Sequence, residues 1–175
     1  GAALVVESES HARARGATIL AEVSGYGITC DAFHITAPAD DGAALDRAIR
    51  DALAEAGEAE AGVHVNAHGT STMKNDEVEA AAVARVLGEG TLVTSTKATT
   101  GHLLGAAGAT EAIASVLALH RGQVPPTAGT REIDDEMRVD VVRGRARDAD
   151  LSRAVSLSLG FGGHNTCLVI DKVAA

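Results

Sequence analysis

Three short segments of this 175-residue chain combine residue types that could do chemistry. They are 66–72 (Asn-Ala-His-Gly-Thr-Ser-Thr), 95–108, which contains Lys97 and His102, and the glycine-rich 160–165 (Gly-Phe-Gly-Gly-His-Asn). Each follows a predicted strand, which is where α/β proteins hold their ligands. Neutral imidazoles can donate N–H groups to a developing enolate oxygen, and a phenylalanine between glycines can act as a gate. Together the segments favour acyl chemistry on a thioester.

Taken singly, these residues have more ordinary interpretations. A histidine after a strand is usually a hydrogen-bonded turn residue, and a lysine in a loop is usually solvated. His68, His102 and His164 could hold a zinc ion, but no HExxH motif and no carboxylate at ligand spacing supports this beyond the count. We therefore expect no metal. The sequence contains no phosphate-binding glycine motif, so nothing in it indicates that a nucleotide binds. The remaining histidines are interpreted as surface or satisfied: His11, His34, His64 and His120.

Strands that alternate with helices position these segments. The clearest helix is 41–56, whose apolar residues recur at three and four and which Gly57 ends. A second helix is predicted from Asn75 or Asp76 to about residue 87, with Glu79 in capping-box register. The third predicted helix is 102–121. Predicted strands are 2–7, 17–30, 63–67, 92–94, 139–142, 153–159 and 166–171. Because the strands are too apolar to have one wet face, the pattern predicts an α/β layered domain with helices on the faces of the sheet.

Composition narrows the classes of function. Fifteen basic against 24 acidic residues give a net charge of −9, and the chain has one Tyr, two Phe and no Trp. It therefore lacks the basic stripe and stacking aromatics of a nucleic-acid surface. No apolar run is long enough for a membrane span, and no signal peptide is recognisable. Cys30 and Cys167 fit neither a zinc site nor a disulfide framework, so we expect a cytoplasmic protein.

The order of the motifs resembles one enzyme family. Three motifs, in this order, are similar to the C-terminal half of an elongating, KAS II-like β-ketoacyl-acyl carrier protein synthase. They are Asn-Ala-His-Gly-Thr-Ser-Thr, then Ser-Thr-Lys-x-x-x-Gly-His-Leu-Leu-Gly-Ala-Ala-Gly-Ala-x-Glu, then Gly-Phe-Gly-Gly-x-Asn. The resemblance covers essentially the whole chain, and the alanine and arginine bias resembles the actinobacterial branch. It implies a thiolase-like layered fold, as the C-terminal half, with a mixed sheet. The expected domain is 1–175, a β-ketoacyl synthase C-terminal domain.

The resemblance implies roles for individual residues. His68 and His102 match the two catalytic histidines, which hold the malonyl thioester oxygen and stabilise the enolate. Lys97 matches the catalytic-site lysine, and Glu111 matches the glutamate that pairs with it. No cofactor is implied, because the substrates travel on the phosphopantetheine arm of an acyl carrier protein. The residues implied in binding that arm or gating the pocket are Thr70, Thr72, Phe161, Gly160 and Gly162.

The family's nucleophilic cysteine belongs to its N-terminal half, and neither cysteine here replaces it. Cys30 and Cys167 are both interpreted as small buried hydrophobes. The chain also begins directly in a predicted strand, so we expect a fragment that needs a complementary N-terminal half and is inactive alone. With that half, a homodimer or a ketosynthase heterodimer is implied, with an acyl carrier protein as a further partner. Two functions remain open: an active condensing enzyme of fatty acid or polyketide synthesis, or a non-catalytic partner similar to a chain-length factor.

Overall fold

A six-stranded mixed sheet organises the computed structural model, which describes residues 1–173. The strands of the chain are β1 (Glu22–Cys30), β2 (Gly62–Asn66), β3 (Leu92–Thr94), β4 (Gln123–Val124), β5 (Asp140–Val141), β6 (Arg147–Asp148), β7 (Leu151–Gly160) and β8 (His164–Asp171). The sheet has the order β1-β8-β7-β2-β3-β5, while β4 and β6 form a separate antiparallel pair. Strands β1, β8 and β7 are antiparallel neighbours, and β7, β2, β3 and β5 run parallel.

Helices cover both faces of the sheet. They are α1 (Glu9–Ala14), α2 (Ala43–Ala56), α3 (Met73–Leu87), α4 (Lys97–Thr100) and α5 (Ala107–Arg121), with a 3₁₀ turn at Leu104–Ala106. Helices α2 and α3 share one apolar core with the sheet, in which Ile49 and Val155 are fully buried. Helix α5 packs on the opposite face, where Leu119 and Ala154 are fully buried. Because Ala154 and Val155 are neighbours in β7, the two cores lie on opposite sides. The α/β prediction is confirmed.

Two glycines allow α2 to lie directly on β1. A Cβ atom at Gly25 would overlap the carbonyl oxygen of Ala52, and one at Gly27 would overlap that of Ala48. The register of β1 against β8 shifts between Val23 and Gly25, and the strand continues through both glycines to its end. Their missing side chains serve close packing between helix and strand.

Three predicted elements are placed differently in the structure. Residues 2–7 form no strand, since among residues 1–173 no neighbouring strand pairs with them. The predicted 102–121 helix begins only at Ala107, because Leu104 has a positive φ of 52° that an α-helix cannot contain. Helix α3 begins at Met73 behind Thr72, without a side-chain cap, so the predicted capping box does not form. No helix within residues 1–173 combines the length and the apolar composition required to cross a membrane.

Parallel strand ends bring the chemical segments together. Asn66 ends β2, and in the parallel ladders it lies beside Thr94 of β3 and Ser156 of β7. The segments that begin at Ala67 and Ser95 therefore leave the sheet side by side at one edge. The third segment forms the turn between β7 and β8.

Candidate active site

Two imidazole rings meet at this edge of the sheet. The ring centroids of His68 and His102 lie 5.3 Å apart, and the rings are nearly perpendicular, at 84°. His68 is 7% exposed and His102 is exposed. One ring thus forms the wall of the site while the other is open to an incoming ligand. Both histidines were predicted from the sequence as site residues, and the structure places them next to each other.

Burial keeps His68 neutral. It lowers the pKa of His68 to about 4, and the charges of Lys97 and His102 act in the same direction. At neutral pH the ring is therefore an uncharged imidazole. A neutral ring carries one N–H group and can donate it to a developing oxyanion.

The backbone fixes the tautomer of His102. The amide of Leu104 donates a hydrogen bond to His102 Nδ1 over 3.2 Å. Since Nδ1 accepts this bond, the proton of the neutral ring must be on Nε2. The positive φ of Leu104 sets the tight turn that makes the contact possible. His102 therefore offers an Nε2–H donor to the site.

A buried ion pair lies next to the histidines. Lys97 Nζ donates a hydrogen bond to Glu111 Oε1, and the two side chains are only 5% and 3% exposed. Glu111 lies on α5, and its backbone carbonyl oxygen accepts a hydrogen bond from Asn66 Nδ2 over 3.1 Å. The bond between Asn66 and Glu111 thereby ties α5 to the end of β2. The resemblance implied that Lys97 and Glu111 pair with each other, and in the structure they do.

Sequence reasoning missed a second carboxylate at the site. Glu79 of α3 is 2% exposed and accepts hydrogen bonds from the backbone amides of His68, over 2.6 Å, and Gly69, over 2.8 Å. Burial raises the pKa of Glu79 to about 7, while these bonds and one from Asn75 oppose the shift. Because Glu79 was interpreted as part of a capping box, its place in the site was not predicted. Its helical spacing from buried Ala82 and Val83 was the signal that could have revealed it.

The residues implied in arm binding and gating lie in two places. Thr70 Oγ1 and Thr72 Oγ1 are 2.9 Å apart in the loop after His68. A cavity of about 770 Å³ is lined by Thr70, Lys97, His102 and Glu79, among others, but not by Thr72.

The glycine-rich turn is separate from this cavity. Phe161 is 77% exposed in the turn between β7 and β8, and neither it nor its neighbours Gly160 and Gly162 line the cavity. Gly162 has a φ of +84°, which a residue with a side chain rarely adopts. The structure does not bring this turn into contact with the lined cavity.

Two of the sequence interpretations are wrong. Cys30 is exposed rather than buried, because it ends an edge strand on the face that α2 does not cover. Cys167 is buried as predicted, and burial raises the pKa of its thiol to about 12. His64 is neither on the surface nor satisfied: it is fully buried, and neither ring nitrogen has a hydrogen-bond partner within the described part of the chain.

Among residues 1–173 no group of three or more His, Cys, Asp or Glu side chains is placed to hold a metal ion.

The fold defines the class of protein. The ishigamide ketosynthase/chain length factor structure superposes with a TM-score of 0.90 at 43% identity, over 96% of this chain and 42% of that chain. A complex described as a type II PKS acyl-carrier protein with its ketosynthase bound to the hexaketide gives a TM-score of 0.89 at 36% identity, over 95% of this chain and 42% of the other. The fold is thiolase-like, as predicted.

The chain belongs to the β-ketoacyl synthase family, as its C-terminal domain. The family model for the β-ketoacyl synthase C-terminal domain matches residues 20–131. The chain is 48% identical to the 3-oxoacyl-[acyl-carrier-protein] synthase 2 of Staphylococcus aureus (strain COL), over 98% of its own length and 42% of the relative. It therefore spans less than half of the curated relatives that it matches.

Proposed function

We propose that this chain is the decarboxylating part of a β-ketoacyl-acyl carrier protein synthase, which condenses a malonyl thioester with an acyl thioester. The observation that carries the proposal is the edge-to-face pair of His68 and His102, 5.3 Å apart beside the buried Lys97–Glu111 pair. Two neighbouring imidazole rings that each donate an N–H group can form an oxyanion hole. The cytoplasm is the proposed location.

The two histidines and Lys97 can each act in the proposed reaction. The two rings donate to the carbonyl oxygen of the malonyl thioester. The bond to the carboxylate then breaks, carbon dioxide leaves, and the electron pair forms an enolate whose oxygen the rings stabilise. The enolate carbon attacks the carbonyl of an acyl thioester held on a cysteine, and that cysteine leaves as a thiolate. Burial is the main reason that the pKa of His68 is low, and the nearby charge of Lys97 lowers it further.

The acyl-accepting cysteine is proposed to lie in a complementary N-terminal half. Cys167 cannot serve, because its thiol is buried within the sheet and its pKa is raised to about 12. The face of β1 opposite α2 exposes Tyr26 and Ile28, at 59% and 65%. Leu117 of α5 is 42% exposed. An apolar surface of this kind supports a partner that buries it, in a homodimer or a ketosynthase heterodimer.

An acyl carrier protein is the proposed second partner. The hydroxyls of Thr70 and Thr72 lie in the loop after His68, and such groups can exchange hydrogen bonds with the amides of a phosphopantetheine arm. One of the similar solved structures contains an acyl-carrier protein in complex with its ketosynthase. No cofactor of the chain itself is required, since the arm carries both substrates.

A non-catalytic role, like that of a chain-length factor, is the alternative. One of the similar structures is a ketosynthase/chain length factor. Such a partner has no chemical use for His68, Lys97 and His102 in their present geometry. The retained site therefore favours the enzyme.

The test is release of carbon dioxide from malonyl-acyl carrier protein by this chain assembled with its complementary half. We expect His68→Ala and His102→Ala each to lower the rate about 10²–10³-fold, the usual loss for an oxyanion donor. His120→Ala is the matched control, because His120 is exposed at the far end of α5. Normal release from either site variant would remove that histidine from the mechanism and favour the non-catalytic role.

A further inference from the structure

The two segments that carry the histidines contact each other where they leave the sheet. A Cβ atom at Gly69 would lie 2.6 Å from the Cβ of Ser95, so no side chain fits between the two main chains. Gly69 also has a positive φ of 39°, a conformation that favours glycine. Because His68 precedes Gly69 and Lys97 follows Ser95 by two residues, this contact limits how the two parts of the site can lie.

The hydroxyl group of Ser95 bonds the two segments to each other. Its Oγ donates a hydrogen bond to the carbonyl oxygen of Gly69 over 2.7 Å, and the residue is only 8% exposed. Ser95 lines the cavity together with Lys97 and His102. A hydroxyl has a single proton, however, and here the main chain of Gly69 receives it. The bond can therefore hold the site together without taking part in the chemistry.

A third segment anchors the main chain of Ser95. The amide of Ser95 donates to Thr127 Oγ1 over 3.1 Å. The amide of Thr127 in turn donates to the carbonyl oxygen of Val142, just after β5, over 2.7 Å. Hydrogen bonds in series thus run from the end of β5 through Thr127 and Ser95 to Gly69. They connect the loop of the first histidine to the sheet.

The ring of His68 depends on this main-chain support. Its Nδ1 atom is buried and has no hydrogen-bond partner within residues 1–173. Histidines that act in catalysis are commonly oriented by a bond from the second ring nitrogen to a carboxylate or carbonyl. The place of this ring beside His102 therefore follows from where the main chain holds it.

We propose that Ser95 is a positioning residue, whose hydroxyl sets the separation between the segment of His68 and the segment of Lys97 and His102. The inference rests on the proposed function for its catalytic consequence, whereas the separation of the two rings is measured without it. Ser95 is not a catalytic residue, because it acts on the substrate only through the two histidines.

The first experiment measures carbon dioxide release from malonyl-acyl carrier protein by this chain assembled with its complementary half. In Ser95→Ala we expect kcat to fall about 10-fold or more, with the KM for the malonyl substrate unchanged, because small displacements of catalytic groups are costly.

Ser152→Ala is the matched control. Ser152 Oγ also bonds to the main chain of a distant segment, since it accepts from the amide of Ala61 over 2.8 Å. It lies beside the start of β2, however, and the site lies at the end of that strand. Urea unfolding should show a similar loss of stability in both variants, and only Ser95→Ala should lose kcat.

The second experiment measures the separation of the rings in this chain, through the nuclear Overhauser effect between the ring protons of His68 and His102. The unaltered chain should give a cross-peak, because the ring centroids are 5.3 Å apart. In Ser95→Ala the cross-peak should be lost, and in Ser152→Ala it should remain. If Ser95→Ala does not fold, Thr127→Val is measured instead, since it removes the acceptor of the Ser95 amide at nearly the same size.

Two outcomes overturn the proposal. One is an unchanged cross-peak in Ser95→Ala, since a fall in kcat would then come from a direct part of the hydroxyl in the reaction. The other is an equal fall of kcat in Ser95→Ala and Ser152→Ala, which would make the hydroxyl a general stabiliser. A lost cross-peak with normal kcat overturns the catalytic consequence. If His68→Ala leaves release intact, the proposed function fails, whereas the cross-peak still decides the role of Ser95.

Discussion

Asn165 donates a hydrogen bond through Nδ2 to Asp31 Oδ1 over 2.6 Å, and so joins two loops that are far apart in sequence. The other carboxylate oxygen of Asp31 accepts from the amide of Ala39 over 2.9 Å, and the amide of Asp31 donates to Gly163 O over 2.8 Å. The loop after β1 is thereby fastened to the turn that carries Phe161.

Removal of the Asp31 carboxylate should loosen that turn. We expect Asp31→Ala to lower the free energy of unfolding by about 1–3 kcal/mol, because the buried Asn165 loses the shorter of its two hydrogen bonds and the amide of Ala39 loses its acceptor. The amide of Gly162, which donates to Ile35 O over 2.8 Å, should exchange faster. Denaturant melts and hydrogen exchange measure the two effects. Asp40→Ala, at an exposed ion pair with Lys74, is the control and should change stability by no more than about 0.5 kcal/mol.

Phe161 should matter for turnover and not for folding. Its side chain is 77% exposed, so Phe161→Ala should change the free energy of unfolding by no more than about 0.5 kcal/mol. If the residue gates the acyl pocket, the order of the acyl and malonyl steps in the assembled enzyme should be impaired. Thermal melts and condensation rates on one preparation separate the two effects. A large fall in melting temperature with normal specific activity would refute the gate.

Gly27→Ala should destabilise the chain strongly. The new methyl group would collide with the carbonyl oxygen of Ala48, so α2 must move away from β1 at a cost of about 3 kcal/mol or more. Gly105→Ala is the control, because a Cβ atom there meets open space. Urea unfolding of both variants makes the comparison. Equal midpoints would show that the helix is not packed against the strand in this way.

His64 should make the chain sensitive to acid. Burial lowers the pKa of His64 to about 4, whereas the unfolded chain binds the proton near 6.5. As the pH falls from about 6.5 to 4, the unfolded state gains a proton that the folded state does not, so stability falls by about 3 kcal/mol. His68, whose pKa is also lowered to about 4, contributes in the same direction.

His64→Leu should remove the contribution of His64 to this acid sensitivity. Stability at pH 7 should not fall, because two unpartnered buried nitrogens are replaced by apolar atoms. Urea unfolding between pH 4 and 7 measures the slope, and the exposed His120→Leu serves as the control. An unchanged slope in His64→Leu would contradict burial of a neutral ring.

The sequence by itself determined the α/β class and the main helices and strands, and it predicted four residues that the structure brings together: His68, Lys97, His102 and Glu111. Helix α2 follows from its period of three and four, and Gly57 ends it as expected. The two histidines and the Lys97–Glu111 pair followed from a motif that resembles a known family. These signals are local, because periodicity, glycine punctuation and motif spacing are properties of neighbouring residues.

Only the tertiary structure decided how distant segments use one another. Glu79 looked like a cap because its neighbours fit one, and its bonds to residues 68 and 69 exist only once α3 packs beside the end of β2. Cys30 and His64 were misjudged since burial depends on which face of the sheet another element covers. The strand expected at 2–7 had a suitable composition, but a strand forms only where a neighbour accepts its backbone hydrogen bonds, and no neighbour among residues 1–173 does so.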